Sequence, residues 1–205
     1  MPAASDIPTR DRILYASAEL FRRQGYAGTG LKQIATEARA PFGSLDYHFF
    51  PGGKEQLADD VLRAGGRFFL ALYEVIAGAA PDFPTAVRDF FAGAAQTLEA
   101  TDFADACPIA TVAGEIASTH EGLRTATADV FESWLAAVAR DAHNAGVAAE
   151  RSRPLALSVL AILEGAFLLS RSLRSTEPMF ACAESAVALV EASLTQQSTI
   201  RETTA

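Results

Sequence analysis

Apolar residues recur at three- and four-residue steps along almost the whole chain, and the strict alternation of a half-buried strand is nearly absent. The first stripe follows Thr9, a residue suited to cap a helix. It holds Ile13, Leu14, Ala16, Leu20 and Phe21, with the small Ser17 among them. Gly25 ends it, because glycine takes the left-handed C-terminal conformation without steric cost. A shorter stripe opens near Thr29 or Gly30 and turns Leu31, Ile34, Ala35 and Ala38 inward. Pro41 suits the first turn of a third helix, where a missing N–H is no loss. Leu45 and Phe49 are the expected core residues of that helix, and Pro51-Gly52-Gly53 stops it. Three short helices, the last two joined by a tight turn, make the pattern of a helix-turn-helix domain.

From Lys54 onward the stripes lengthen. One runs toward Gly78 with Leu57, Val61, Phe68, Leu72 and Ile76 along one side, until Pro81 and Pro84 break it. Further helices are predicted over 85–100, 108–118, 122–144, 154–174 and 179–195. The predicted fold is all-α. It divides into a helix-turn-helix domain over 1–53, a helical domain over 54–197 and a disordered tail over 198–205.

Charge sharpens this division. The net charge of -8 looks wrong for a protein that meets DNA. Yet residues 1–54 hold 7 Lys and Arg against 5 Asp and Glu, a balance of +2, and the remainder holds 10 against 20, a balance of -10. Acidity belongs to the second part, and the first is free to approach phosphate. The N-terminus shows Ser5, Asp6 and Arg10 rather than the apolar run of a secretory leader. The longest apolar stretch, 154–169, is interrupted by Ser158 and Glu164 and falls short of the roughly 20 residues of a membrane span, so it reads as a buried helix. No membrane partner and a cytoplasmic location are therefore expected.

Enzymatic chemistry finds no constellation. Cys107 and Cys182 form neither a metal cluster nor a disulfide framework, and the histidines are scattered at 48, 120 and 143. His120-Glu121 lacks the second histidine of a zinc helix. Gly53-Lys54 lacks the upstream glycine and the following Ser or Thr of a phosphate loop, and no Gly-x-Ser-x-Gly elbow occurs. No catalytic residue, metal or cofactor is expected.

The N-terminal stretch carries a more specific signal. Phe21, Gly25 and Tyr26 end the first helix, and Leu31, Ile34 and Ala35 form a Leu-x-x-Ile-Ala core. Gly43-Ser44-Leu45, an aromatic-His-Phe cluster and Lys54-Glu55 follow. Together these resemble the DNA-binding signature of the TetR family of repressors. The run Pro51-Gly52-Gly53-Lys54-Glu55-Gln56-Leu57 and the later Cys107-Pro108-Ile109-Ala110-Thr111 look like its LmrA/YxaF-like branch. The resemblance implies a dimeric regulator whose C-terminal domain senses small, often aromatic molecules.

Physical reasoning supplies the same candidates. A third helix can enter the major groove, about 12 Å wide, with its first turn at the base edges. Gly43 and Ser44 would let its backbone come close. Thr29, Lys32, Gln33, Tyr47, His48 and Lys54 are candidate groove or phosphate contacts. For Phe42, where the family often has lysine, packing and contact with a thymine methyl are both open. Arg39 replaces the usual turn glycine, as a strained residue or as a phosphate contact. Between Leu45 and Pro51 the chain is one residue longer than the common pattern. Either Asp46 is inserted and Tyr47 takes the family tyrosine's role, the alignment favoured here, or Asp46 holds that place and Phe50 is extra.

The second domain is rich in aromatics. Phe68, Phe90, Phe103, Phe131, Trp134 and Phe167 are candidates to line an effector cavity between helices, with Thr111 and Glu115, and less directly Thr97 and Glu164, as polar groups to orient a ligand. The last two helices are apolar on all sides, which calls for a four-helix bundle across a two-fold axis through Leu160–Leu169 and Val187–Leu194. The reading is a repressor that binds a palindromic double-stranded operator as a homodimer and is released by a small, mostly apolar or aromatic effector. A helical adaptor that binds only protein is the alternative, with an enzyme behind it.

Overall fold

The computed structural model describes residues 7–204, the side chains of 44, 46, 47 and 196–204 lying outside that description. The described residues are helical with no strand. In order they form α1 (Thr9–Gln24), α2 (Leu31–Glu37), α3 (Phe42–Ser44) continued by a π turn (Leu45–Phe49), α4 (Gly53–Ala79), α5 (Phe83–Ala100), α6 (Pro108–Ile116), α7 (Glu121–Asn144), α8 (Ala149–Leu173) and α9 (Glu177–Thr204). The all-α expectation holds.

Helix boundaries follow local chemistry. Gly25, at φ 78°, closes α1 and donates its N–H to the Phe21 carbonyl. Asp82 caps α5 by accepting from the Thr85 N–H, which starts that helix two residues before the predicted Thr85. The helix expected to open at Pro154 begins at Ala149 instead, with Pro154 inside it. Ser152 supports the early start: its hydroxyl donates to the Ala148 carbonyl at 3.0 Å, beside the backbone bonds of Arg151 and Ser152 to that same oxygen. Helix α9 runs to Thr204, through the stretch assigned from sequence to a tail.

The chain packs as two compact units. The first joins the residues up to Arg67 with Cys107–Val130, and the second joins Phe68–Ala106 with the residues from Phe131 onward. Sequence division at residue 53 follows chain order; packing gathers the start of α4, all of α6 and the start of α7 around the first helices.

Ile13, Phe21, Ile34, Leu45, Phe50, Leu57 and Leu62 fill the first unit's core with Ile109, Val112 and Ile116 of α6, and α6 packs on α1. The second unit's core is built on Phe83, Val87, Phe91 and Leu98 of α5, Leu155, Val159 and Leu163 of α8, and Met179, Val187 and Val190 of α9.

Helix α4 corrects one expected stripe. Phe68 and Leu72 are not on its packed side but 64% and 40% exposed. Gly66 sets the packed face: a Cβ there would lie 2.5 Å from Val130 Cγ1 of α7, so α7 comes close on that side. Three residues on, Phe69 meets Trp134, and then Tyr73 is buried with its hydroxyl donating to Asp141 at 3.0 Å. By length and composition alone, α8 is long and apolar enough to cross a membrane, with a mean hydropathy of 1.6 in its most apolar window. Leu155, Ala156, Val159, Leu163 and Ala166 along one face of it are buried against the rest of the second unit.

Candidate DNA-binding surface and aromatic cluster

Two anchors shape the helix-turn-helix. Arg12 of α1 is the first. Its guanidinium donates to the carbonyls of Ala38 (3.0 Å), Ile7 (2.7 Å) and Arg39 (3.4 Å), holding the turn between α2 and α3 from beneath. Arg39 takes φ 49° in that turn, a region that costs a non-glycine residue about 1–2 kcal/mol. Its side chain is exposed.

The second anchor is Thr29, buried to 1% exposure. Its hydroxyl donates to the Gly25 carbonyl at 2.7 Å and accepts from Gln24 Nε2 at 3.2 Å, while its N–H reaches the Tyr26 carbonyl. Thr29 locks the α1–α2 turn, with its hydroxyl engaged inside the fold.

The recognition segment is where sequence and structure differ most. The Phe50 N–H donates to the Leu45 carbonyl five residues back, at 3.0 Å, in place of the four-residue step of an α-helix. One extra residue in a helix produces such a widened turn. On an α-helix a five-residue step leaves side chains about 140° apart, so Leu45 and Phe50 could not share a face. Across the π turn both are fully buried, and Phe49, the expected core residue, is only half-buried. Phe50 therefore takes the core place that an α-helical period assigns to Phe49. Its ring also carries the Arg10 guanidinium at 5.4 Å, itself paired with Asp60 at 2.8 Å.

Outward from this floor, Lys32, Gln33, Arg39, Phe42, Gly43 and His48 are all exposed. Gln33 is steadied by Gln24 Nε2, which donates to its Oε1 at 2.8 Å. A Cβ on Gly43 would meet nothing within 4 Å, so the fold itself has no need of glycine there. The side chains of Ser44, Asp46 and Tyr47 lie outside the described residues.

Lys54 and Glu115 belong to a different arrangement. Lys54 Nζ lies 4.1 Å from the centre of the Tyr26 ring, whose edge meets His120 with centroids 5.1 Å apart. Burial pushes the Lys54 ammonium below its ordinary pKa, and the Glu115 carboxylate opposes that shift. Burial, with the Glu55 charge, likewise raises the Tyr26 phenol. Glu115 Oε2 accepts from the Ala27 N–H at 2.7 Å, and its carboxylate fills the space where a Cβ on Gly25 would stand. Lysine and glutamate thus fasten α6 and the start of α4 to the α1–α2 turn. Arg12, Phe50 and this joint escaped sequence reasoning.

The predicted effector residues divide between the units. Thr111 lies with Glu115 in the first, its hydroxyl donating to the Cys107 carbonyl at 2.8 Å. In the second, Phe131, Trp134, Phe69 and Phe68 form a chain of edge-on ring contacts, with centroids 5.7, 6.1 and 5.5 Å apart in that order. Tyr73 meets Phe90 at 5.7 Å, and burial, with the charge and hydrogen bond of Asp141, drives the Tyr73 phenol far above its ordinary pKa. Phe90, Phe103 and Phe167 pack half-buried against the core. Thr97 is exposed and bonded to the Gly93 carbonyl, and Glu164 is half-buried. A groove of about 720 Å³ opens elsewhere in this unit, lined by Glu74, Pro81, Phe83, Arg140, Asp141 and Asn144 among others, none of them predicted effector residues.

Comparison with known proteins places this architecture. Residues 13–61 match the family model of bacterial regulatory proteins of the tetR family, and residues 84–185 match that of the C-terminal domain of LmrA/YxaF-like transcriptional regulators. The chain is similar to the uncharacterised HTH-type transcriptional regulator YxaF of Bacillus subtilis, 35% identical over 89% of this chain and 95% of that one. It is also similar to the HTH-type transcriptional regulator LmrA of the same organism, 32% identical over 83% and 90%. In fold it is similar to the regulatory protein TetR from Rhodobacter sphaeroides, with a TM-score of 0.79 at 22% identity, covering 88% of this chain and 98% of that one. The chain belongs to the TetR family of bacterial transcriptional regulators, in its LmrA/YxaF-like branch.

Proposed function

We propose that this regulator is a cytoplasmic homodimeric repressor that grips a palindromic double-stranded operator and lets go when a small, mostly apolar or aromatic effector binds its second unit. The observation that carries the DNA-binding part is the exposed set Lys32, Gln33, Arg39, Phe42, Gly43 and His48 above a floor of Ile34, Leu45 and Phe50. Cationic Lys32 and Arg39 serve phosphates, while the start of α3, with Gly43 bare, serves base edges. Ser44 and Tyr47 complete the proposed set. Thr29, Lys54 and Glu115 act behind it by fixing the turn that presents it.

Dimerisation is supported by apolar side chains left exposed on the last two helices: Leu157, Leu168, Leu169 and Leu173 of α8, and Phe180 and Leu189 of α9. Soluble monomers rarely expose so many large apolar groups in one region. Within the predicted segments Leu163, Ala166, Val187 and Val190 already serve the unit's own core, which leaves this exposed set to the partner. Effector binding is supported by the aromatic chain from Phe131 to Phe68, together with Phe90, Phe103 and Phe167. Helix α4 runs from Gly53 to Ala79 and carries residues of both units.

Selection of bound duplexes from a random pool tests the reading. An enriched inverted repeat, with half-sites one helical turn or a small multiple apart, is the expected result. Enrichment of no sequence would overturn it.

A further inference from the structure

We propose that Phe42 reads the C5-methyl group of thymine in the operator, an extension that rests on the DNA-binding reading above. Phe42 is the first residue of α3 and is 46% exposed. The core beneath it is filled by Leu45 and Phe50, both fully buried, so the ring is not what closes the first unit. Its neighbours Pro41 and Gly43 are exposed too, and beside it a Cβ on Gly43 would meet nothing within 4 Å. A large apolar ring therefore stands in water at the leading end of the recognition segment, next to bare backbone that allows close approach.

A phenyl ring has no hydrogen-bond donor or acceptor with which to hold a phosphate or a base edge. What it can do in a major groove is cover apolar surface, and thymine is the base that presents a methyl group there. Against cytosine or uracil the same ring would gain nothing at that spot. Burial of one methyl-sized group changes an equilibrium constant by about fourfold, which sets the expected discrimination per half-site.

The test uses the full-length protein and a duplex recovered by selection from a random pool. Thymines are replaced one at a time by deoxyuridine, which keeps every hydrogen-bonding group and removes the methyl. The expected result is a position in each half-site where replacement weakens wild-type binding about fourfold, while the Phe42→Ala variant binds both duplexes alike. Phe42→Leu, which keeps an apolar side chain, should retain part of the discrimination. Unchanged thermal melting of both variants, expected for an exposed residue, shows that the fold is intact. If every uracil-sensitive position responds equally in wild type and Phe42→Ala, the proposal is overturned while the DNA-binding reading stands. If no sequence is recovered from the pool, the DNA-binding reading fails and takes the proposal with it.

Discussion

Arg39 sits at φ 49° because Arg12 holds the carbonyls on either side of it, and the strain has a use only if its exposed guanidinium does. Arg39→Gly should therefore separate the two. Urea unfolding should show unchanged or improved stability, by up to about 1 kcal/mol. Binding to all duplexes should weaken, and the slope of affinity against salt should fall by about one phosphate contact. An unchanged salt slope would remove Arg39 from the interface. At the other turn, Gly25 combines φ 78° with a carboxylate standing in its Cβ position. Gly25→Ala should cost roughly 2 kcal/mol, from backbone strain and displacement of Glu115. Glu115→Ala should cost less, about 0.5–1.5 kcal/mol, since water can replace the carboxylate at exposed Ala27. The double variant should cost less than the sum, because removing the carboxylate removes the clash. Strict additivity in urea unfolding would contradict the contact.

Among the elements, the π turn over Leu45–Phe49 makes the sharpest prediction. Deleting Asp46 should let the recognition segment close as an ordinary α-helix, with Phe50 still in its core place one step nearer Leu45. The melting temperature should stay within a few degrees, and selection should return a different half-site, because the side chains between the deletion and Phe50 each move one position closer to Leu45 and change their facing. Loss of the folded first unit would show that the core needs the extra residue. This element also shows where sequence reading ends. Periodicity at three and four residues located the helices, since their stripes record burial directly. It assigned Phe49 to the core because it assumes one period, and a π turn has no residue signature of its own. The cap at Asp82 starts its helix two residues before the predicted Thr85, and Pro154 does not mark the start of its helix, because proline suits a first turn but does not define one. The bond from the Ala27 N–H to Glu115 joins residues 88 apart in the chain, a contact that local pattern cannot express. The contact of Lys54 with the Tyr26 ring, 28 residues back in the chain, is equally beyond local pattern.

For the molecule as a whole, affinity for a palindrome depends on two copies being held together. Leu168 is 68% exposed on α8 and outside its unit's core. Leu168→Glu should leave helical content and melting of the isolated chain little changed, since the side chain is mostly exposed and outside the core. Placed in a two-fold interface, the charge is buried twice, once from each copy, and each is desolvated. Sedimentation should then shift from dimer to monomer at micromolar concentration, with operator affinity falling by an order of magnitude or more. A variant that remains dimeric would move the interface elsewhere.

The widened turn has a consequence for how such a regulator can diversify. A substitution in a reading helix changes one letter of what is read, but a residue gained or lost re-aims every side chain after it. Here Leu45 and Phe50 stay seated across the extra residue, so the reading face can be re-aimed while the hydrophobic floor is kept. The parent chain and its one-residue deletion would then form an orthogonal pair with the same pairing face. Co-expressed, they would make mixed dimers addressed to hybrid, asymmetric sites that neither parent occupies alone.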